Sequence, residues 1–402
     1  LSRRCGIISL ENIYTCQQLS MSKMLNKITV IAGDYPAEEH QMLVFVQQLV
    51  HAMIDLGQEV TVVAPQSIIH AIMHRQKLLP RRSIGTTELG HKYDIFRPIT
   101  LSFGKSKLLT KISSWYNRLI ITSKVSSLNS DIIYSHFWSS ALPIYKYALQ
   151  HNIPLFVACG EGDNALENMV SSMPKEELNV LASSVTGVVS VSSENKRKCV
   201  SFGLAKDEDI DVFPNCVNTS IFHKMDVSDF KQQLGIKDDD FVIGFVGGFI
   251  PRKGPDRIAQ AITKLNDPHI KVMFIGKPFS GYPYDFDCSG IIHKGPLDHD
   301  LLPKYINCSD VFVMPTQKEG CCNAIVEALA MGIPVISSDG AFNDDILNEK
   351  NSIRLDPNDV DAIAAAIKLL KDNPSLRKKM SEYSLSKHDE YSISGRAMRI
   401  LN

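Results

Sequence analysis

The sequence predicts an α/β protein with two domains of similar size, each built around a parallel sheet. Three observations predict it. The chain has 402 residues, more than one ordinary hydrophobic core holds. Short apolar runs that read as buried strands alternate with amphipathic helical segments along most of its length. The stretch SDVFVMPTQKEGCCNAIVEALAMGIPVISSDG, residues 309–340, is a complete strand–loop–helix–strand unit, the repeating element of a parallel sheet.

Taken in order, residues 1–24 read as a peripheral segment. Their apolar stretches are shorter than a signal-peptide core, and Met21 or Met24 reads as the native start, with the fold beginning at Lys27. Residues 28–32 are the first strand. After a loop of Gly33, Asp34, Tyr35 and Pro36, a helix follows in which Phe45, Leu49, Met53 and Leu56 recur at helical spacing. Gly57 ends it, and 60–64 is the second strand. Residues 131–135, 154–158 and 185–190 read as later strands, Ser192-Ser193-Glu194 caps a basic helix, and 211–214 leads into the domain boundary. In the second domain the strands are 241–246, 271–276, 291–295, 311–314 and 335–337, with helices over 302–307, 323–331 and 359–370. Gly332 suits the C-terminal cap of the middle helix, and Pro334 discourages its continuation. Residues 391–401 form a last helix. The boundaries fall at 25–217 for the first domain, 218–386 for the second and 387–402 for a C-terminal helix.

Composition narrows the function. The formal net charge is −1, which argues against a nucleic-acid binder, and no apolar run approaches the roughly 18 residues of a membrane span. The nine cysteines include no Cys-x-x-Cys pair, so they read as reduced thiols of a cytoplasmic protein. The histidines lack metal-ligand spacing, and neither a metal nor a cofactor is expected.

The chemistry concentrates in the second domain. The helix over 323–331 is apolar on almost every side, and Glu327 is its only charge. A buried carboxylate must be paired or hydrogen-bonded, or it protonates. Glu319 stands eight residues earlier, in a loop at a strand's C-terminal end, where open α/β sheets bind ligands. Between them Gly320, Cys321, Cys322 and Asn323 are small or polar and lead into Ala324. They present free N–H groups at a helix start, an arrangement suited to phosphate. A second cradle follows the strand 241–246: Gly247 and Gly248 let backbone approach a ligand, and Arg252 with Lys253 forms a diphosphate trap at the next helix.

Glu-Gly, a second Glu eight residues after the first, and a helix ending Ala-x-Gly-x-Pro-Val together resemble the signature of family 4 (group 1) glycosyltransferases. The resemblance runs from Lys27 to Asn402 and implies the GT-B fold: two Rossmann-like, doubly wound domains across a cleft, with the last helix crossing back to the first. It implies transfer of a sugar from a nucleotide-diphosphate sugar to a hydroxyl acceptor, with retention and without a metal. Glu327 would hold the ribose hydroxyls, Glu319 the transferred sugar, and the intervening amides the sugar or phosphate. The chain departs from the family in places. Its first loop carries a single Gly33 where paired glycines are usual. Gly248 stands at an Arg position, so Arg252 is expected to supply that charge. His136 matches a family His at the cleft mouth, but Cys159 replaces the usual His of a His-Gly pair, and Glu161 is the candidate to take over its polar contact.

Residues 73–124 carry eleven Lys or Arg against Glu88 and Asp94. Within them Leu108, Ile112, Trp115 and Leu119 recur at helical spacing. Two readings follow: a core-facing helix with a solvated basic face, or a patch that meets an anionic membrane surface and a glycan or lipid-linked acceptor. Rival functions on this fold are a nucleotide-sugar epimerase, a glycosyl phosphorylase, or a sugar-binding scaffold without catalysis. No Gly-x-Gly-x-x-Gly follows the first strand, which disfavours a dehydrogenase.

Overall fold

The computed structural model describes residues 26–37, 43–103, 107–161, 164–278 and 284–402. The segment 1–24 lies outside these. The first domain holds β1 (Lys27–Ala32), β2 (Glu59–Val63), β3 (Gln66–Ser67), β4 (Arg82–Thr86), β5 (Lys92–Phe96), β6 (Ile99–Thr100), β7 (Ile132–His136), β8 (Leu155–Cys159), β9 (Gly187–Ser190) and β10 (Ile210–Val212). The second holds β11 (Phe241–Val246), β12 (Ile270–Ile275), β13 (Ile291–Gly295), β14 (Val311–Met314), β15 (Val335–Ser338) and β16 (Ser352–Leu355).

Eight strands of the first domain form one sheet in the order β10-β9-β8-β7-β1-β2-β5-β4, parallel except for the antiparallel β4–β5 edge. The second sheet runs β13-β12-β11-β14-β15-β16 and is parallel throughout. In each, strand order reverses beside the first strand, so a crevice opens outside the carboxyl ends of β1 and β11. Both faces of these sheets are covered, which is why their central strands are continuous apolar runs. The helix Asn323–Ala330 buries Ile325, Val326, Ala328 and Leu329 in the second core, and Gly332 follows it at φ +73°.

The C-terminal helix Ile393–Leu401 returns to the first domain, as the resemblance implies. Ile393 and Ala397 are buried in the same core as Val46, Leu49 and Val50 of the helix Val44–Asp55. Val217 donates its N–H to Tyr391 O at 2.8 Å and accepts from Ile393 N at 2.9 Å, which ties the crossing segment to the chain between the sheets.

The helix Lys107–Ser126 differs from its core-facing reading. It is anchored through Ser113, Ile121 and Val125, while Trp115 is 64% exposed, Leu119 48% and Ile112 46%. Ile112, Trp115 and Leu119 of the predicted stripe therefore face outward. Among the described residues no helix is long and apolar enough to cross a membrane.

Candidate active site

β14 delivers Pro315 and Thr316 to the cleft, and the loop after it carries Glu319. That carboxylate is held from three directions. Lys253 Nζ lies 2.6 Å from Glu319 Oε1, Arg252 Nη1 donates to it at 3.2 Å, and Thr316 Oγ1 at 2.8 Å. Burial alone would depress the Lys253 ammonium, but the Glu319 carboxylate beside it leaves its pKa above the ordinary value. Gly247 is close enough to this lysine that an added Cβ would sit 3.7 Å from Lys253 Cδ, so the Gly247–Gly248 turn and the cation share one wall. Arg252 also donates to Lys318 O.

Glu327 is the opposite case. It is partly exposed, yet no described residue pairs with it, and desolvation raises its pKa to about 7. Between the two glutamates the helix starts at Asn323 with Cys322 as an uncapped N-cap, and the Asn323 and Ala324 amides have no acceptor among the described residues. Burial pushes the Cys321 thiol up to about 12 and raises that of Cys322, so both are neutral and leave the helix dipole unopposed. Asn215 Nδ2 braces this start from the first domain, at 2.8 Å from Asn323 Oδ1 and 3.3 Å from Cys321 O. Gly320 is required where it stands: a Cβ there would come within 2.4 Å of Gly160 O across the cleft.

Two first-domain expectations need correction. His136 is 3% exposed, ringed by Phe45, Tyr134 and Phe137, and burial together with Arg396 lowers its pKa to about 3. It is a neutral imidazole packed beside the sheet. Glu161 has both oxygens committed to backbone, accepting from Trp138 N at 3.1 Å and Gly160 N at 3.0 Å, and burial raises its pKa. It braces two strand ends instead of offering a free carboxylate. Cys159 points into the core, 3.3 Å from Cys199 Sγ. Gly33, by contrast, lines a cleft of about 2390 Å³ in the first domain.

Sequence reasoning missed several groups. Asp345 crosses from the second domain to the helix Ser193–Ser201, accepting from Ser193 N and Oγ, each at 2.6 Å. Lys318 Nζ reaches Asn164 Oδ1 at 2.7 Å. Arg396 is buried on the crossing helix, donating from Nε to Phe213 O at 3.2 Å. Arg97, 4% exposed, lines the first-domain cleft. Only the local charge surplus of residues 73–124 hinted at the last.

Two facing parallel-sheet domains with a cation-backed carboxylate and a bare helix start between them define a GT-B-type transferase. The description "Glycosyl transferases group 1" matches residues 226–387, and "Glycosyltransferase Family 4" matches 42–221. The chain belongs to the group 1, family 4 glycosyltransferases. It is 24% identical over 353 residues to the putative teichuronic acid biosynthesis glycosyltransferase TuaC of Bacillus subtilis, covering 85% of this chain and 88% of that one. It is 29% identical over 205 residues to the capsular polysaccharide biosynthesis glycosyltransferase CapM of Staphylococcus aureus, covering 48% of this chain and about half (54%) of that relative's length. Sucrose-phosphate synthase of Thermosynechococcus elongatus superposes with a TM-score of 0.73 at 17% identity, covering 93% of this chain and 97% of that chain. The Anabaena protein HepE, solved with UDP and glucose, gives 0.66 at 14%, covering 94% and 98%.

Proposed function

We propose that this glycosyltransferase moves a sugar from a nucleotide-diphosphate sugar to a hydroxyl of a glycan or lipid-linked acceptor, with retention and without a metal. The observation that carries the reading is the contrast between the two glutamates: Glu319 held on Oε1 by Lys253, Arg252 and Thr316, and Glu327 partly exposed with no partner among the described residues. A ribose diol offers two O–H donors, which suits a carboxylate with no partner of its own. Lys253, Arg252 and the amides at Asn323 and Ala324 are fixed donors aimed where the leaving diphosphate gathers charge, and such donors usually do more than any other group to lower the barrier of a transfer of this kind. The donor phosphate itself takes the proton of the incoming hydroxyl, since neither His136 nor Glu161 presents a free base to the cleft. The relatives named for capsular polysaccharide and teichuronic acid biosynthesis support a glycan acceptor. The outward Ile112, Trp115 and Leu119, within a basic stretch, support attachment to an anionic cytoplasmic membrane face.

The test is nucleotide release from a panel of nucleotide sugars, with and without acceptors, in excess chelator. Release that depends on acceptor and survives chelation supports the proposal. Conversion of a donor without acceptor returns the epimerase reading, consumption of free phosphate the phosphorylase reading, and no turnover on any donor the scaffold reading.

A further inference from the structure

Three buried polar side chains converge between β7 and the crossing helix, apart from the groups assigned to the donor. Tyr134 and His136 stand two residues apart on β7 and so project from one face of the sheet, with ring centroids 6.2 Å apart. Arg396 is buried on the helix Ile393–Leu401 together with Ile393 and Ala397, and those two share a core with Tyr134 and Cys216. Each of the three polar residues is 3% exposed. Tyr134 Oη, His136 Nδ1 and Arg396 Nη2 are enclosed, yet none has a hydrogen-bond partner among the described residues.

The charge is as unmatched as the hydrogen bonds. Arg396 donates from Nε to Phe213 O at 3.2 Å, a neutral acceptor, and no carboxylate pairs with it among the described residues. Its charge acts on Tyr134, His136, Cys216 and Cys321. Burial raises the phenol and both thiols and, with Arg396, lowers the imidazole to about 3, so all four are uncharged at neutral pH. Arg399, one turn along the helix, lies over the Phe213 ring at 5.3 Å and brings its Nη2 to 3.8 Å from Cys216 Sγ, a second cation at the same corner. A buried cation is costly unless it is paired. Arg396 can only donate, and a phenol hydroxyl and an imidazole nitrogen can each donate beside it. A water would have to place two protons of its own among these donors. A monovalent anion accepts from all three and supplies the missing charge.

We infer that the junction of β7 and the crossing helix binds one small monovalent anion of the chloride class, held by Arg396 Nη2, Tyr134 Oη and His136 Nδ1. The anion fastens the C-terminal helix to the first domain. The inference goes beyond the transferase reading and does not rest on it, since none of the three residues is assigned there to donor or acceptor.

The test follows thermal unfolding of the full chain in sodium chloride and in sodium gluconate at one ionic strength, so that screening is constant and the bulky anion is excluded. An anion that binds the folded state alone raises the melting temperature as its concentration rises. The chloride-minus-gluconate shift is compared between native protein and variants, which cancels the general effect of each salt. Relative to Arg396→Met, the native protein is expected to gain a positive shift that saturates with chloride. Tyr134→Phe removes one donor and leaves the ring, and should weaken the apparent chloride affinity by about tenfold. Bromide in place of chloride should give an anomalous-scattering peak within hydrogen-bond reach of all three atoms. The same shift in native protein and Arg396→Met, or bromide only at the surface, overturns the site. The same shift in both with a lower melting temperature in Tyr134→Phe identifies a bound water and overturns the anion. Should Arg396→Met fail to fold, Arg396→Lys and Tyr134→Phe replace it, and a shift unchanged in both overturns the proposal.

Discussion

Glu327 and Glu319 sit eight residues apart and are held in opposite states, and that contrast yields the sharpest tests. Glu327→Gln replaces an acceptor-only carboxylate with an amide, and is expected to weaken donor binding by about 1.5–3 kcal/mol, the range for hydrogen bonds to a charged group. Calorimetry with a nucleotide sugar checks it, and unchanged affinity in a folded variant refutes the ribose assignment. The same residue predicts a pH effect. Its folded pKa of about 7 lies above the ordinary carboxylate value, so stability falls as pH rises through the window from about 4.5 to 7. Donor binding needs the ionised form and moves the other way, falling about tenfold per pH unit below 7. A nucleotide sugar has no group titrating there, so Glu327→Gln should flatten the profile. Lys253→Ala is expected to lower turnover about a hundredfold or more while shifting thermal stability far less, as removing one positioned donor does. If Arg252→Ala matches native turnover while Lys253→Ala is severe, Arg252 does not replace the charge missing at Gly248. Both glutamates and Lys253 were legible in the sequence because a charge beside glycines or inside an apolar helix needs a reason. His136 was not, because strand parity decides direction: it shares a face with Tyr134 and follows that ring inward.

At the scale of elements, the strands buried on both faces were legible almost to the residue, β11 and β14 included, since such strands are short apolar runs with turn residues at each end. The antiparallel β4–β5 edge was not. Arg82–Thr86 alternates exposed and half-buried residues around a glycine and reads as loop. The polar helices Lys175–Ser184 and Pro374–Ser386 were missed for a related reason, each burying only two residues. The helix Lys107–Ser126 was found, but its orientation was open, because periodicity defines a stripe without saying what covers it. Its exposed Ile112, Trp115 and Leu119 now carry a prediction. The protein should sediment with anionic vesicles at low salt, and replacing these three by serine should release it. Each nearby Lys or Arg contributes about 1 kcal/mol, so neutralising Lys105, Lys107 and Lys111 should also weaken the association and remove its salt dependence. No sedimentation at low salt would return the helix to an ordinary surface element.

In the whole molecule the two domains meet through contacts far apart in the chain. Asp345 and Ser193 are separated by 152 residues, Lys318 and Asn164 by 154, which is why no local pattern disclosed them. Two charge-assisted hydrogen bonds on one carboxylate hold the two domains together on this side, and Asp345→Ala should weaken that contact by about 1.5–3 kcal/mol. Small-angle scattering should then report a larger radius of gyration, and an unchanged radius would deny the contact that role. These bridges, with Asn215 on Asn323 and Gly160 against Gly320, all involve the chain after β8, β9 and β10, whereas the first-domain cleft lies off β1, β2 and β5. The molecule is thus hinged like a book with a bound spine, and its traffic uses the fore-edge. A donor seated on Glu327 and Lys253, as proposed, would be shut in by an acceptor arriving at the same edge. Addition in compulsory order follows, donor first and spent nucleotide last to leave. Product-inhibition kinetics should therefore show the nucleotide competing with the donor alone.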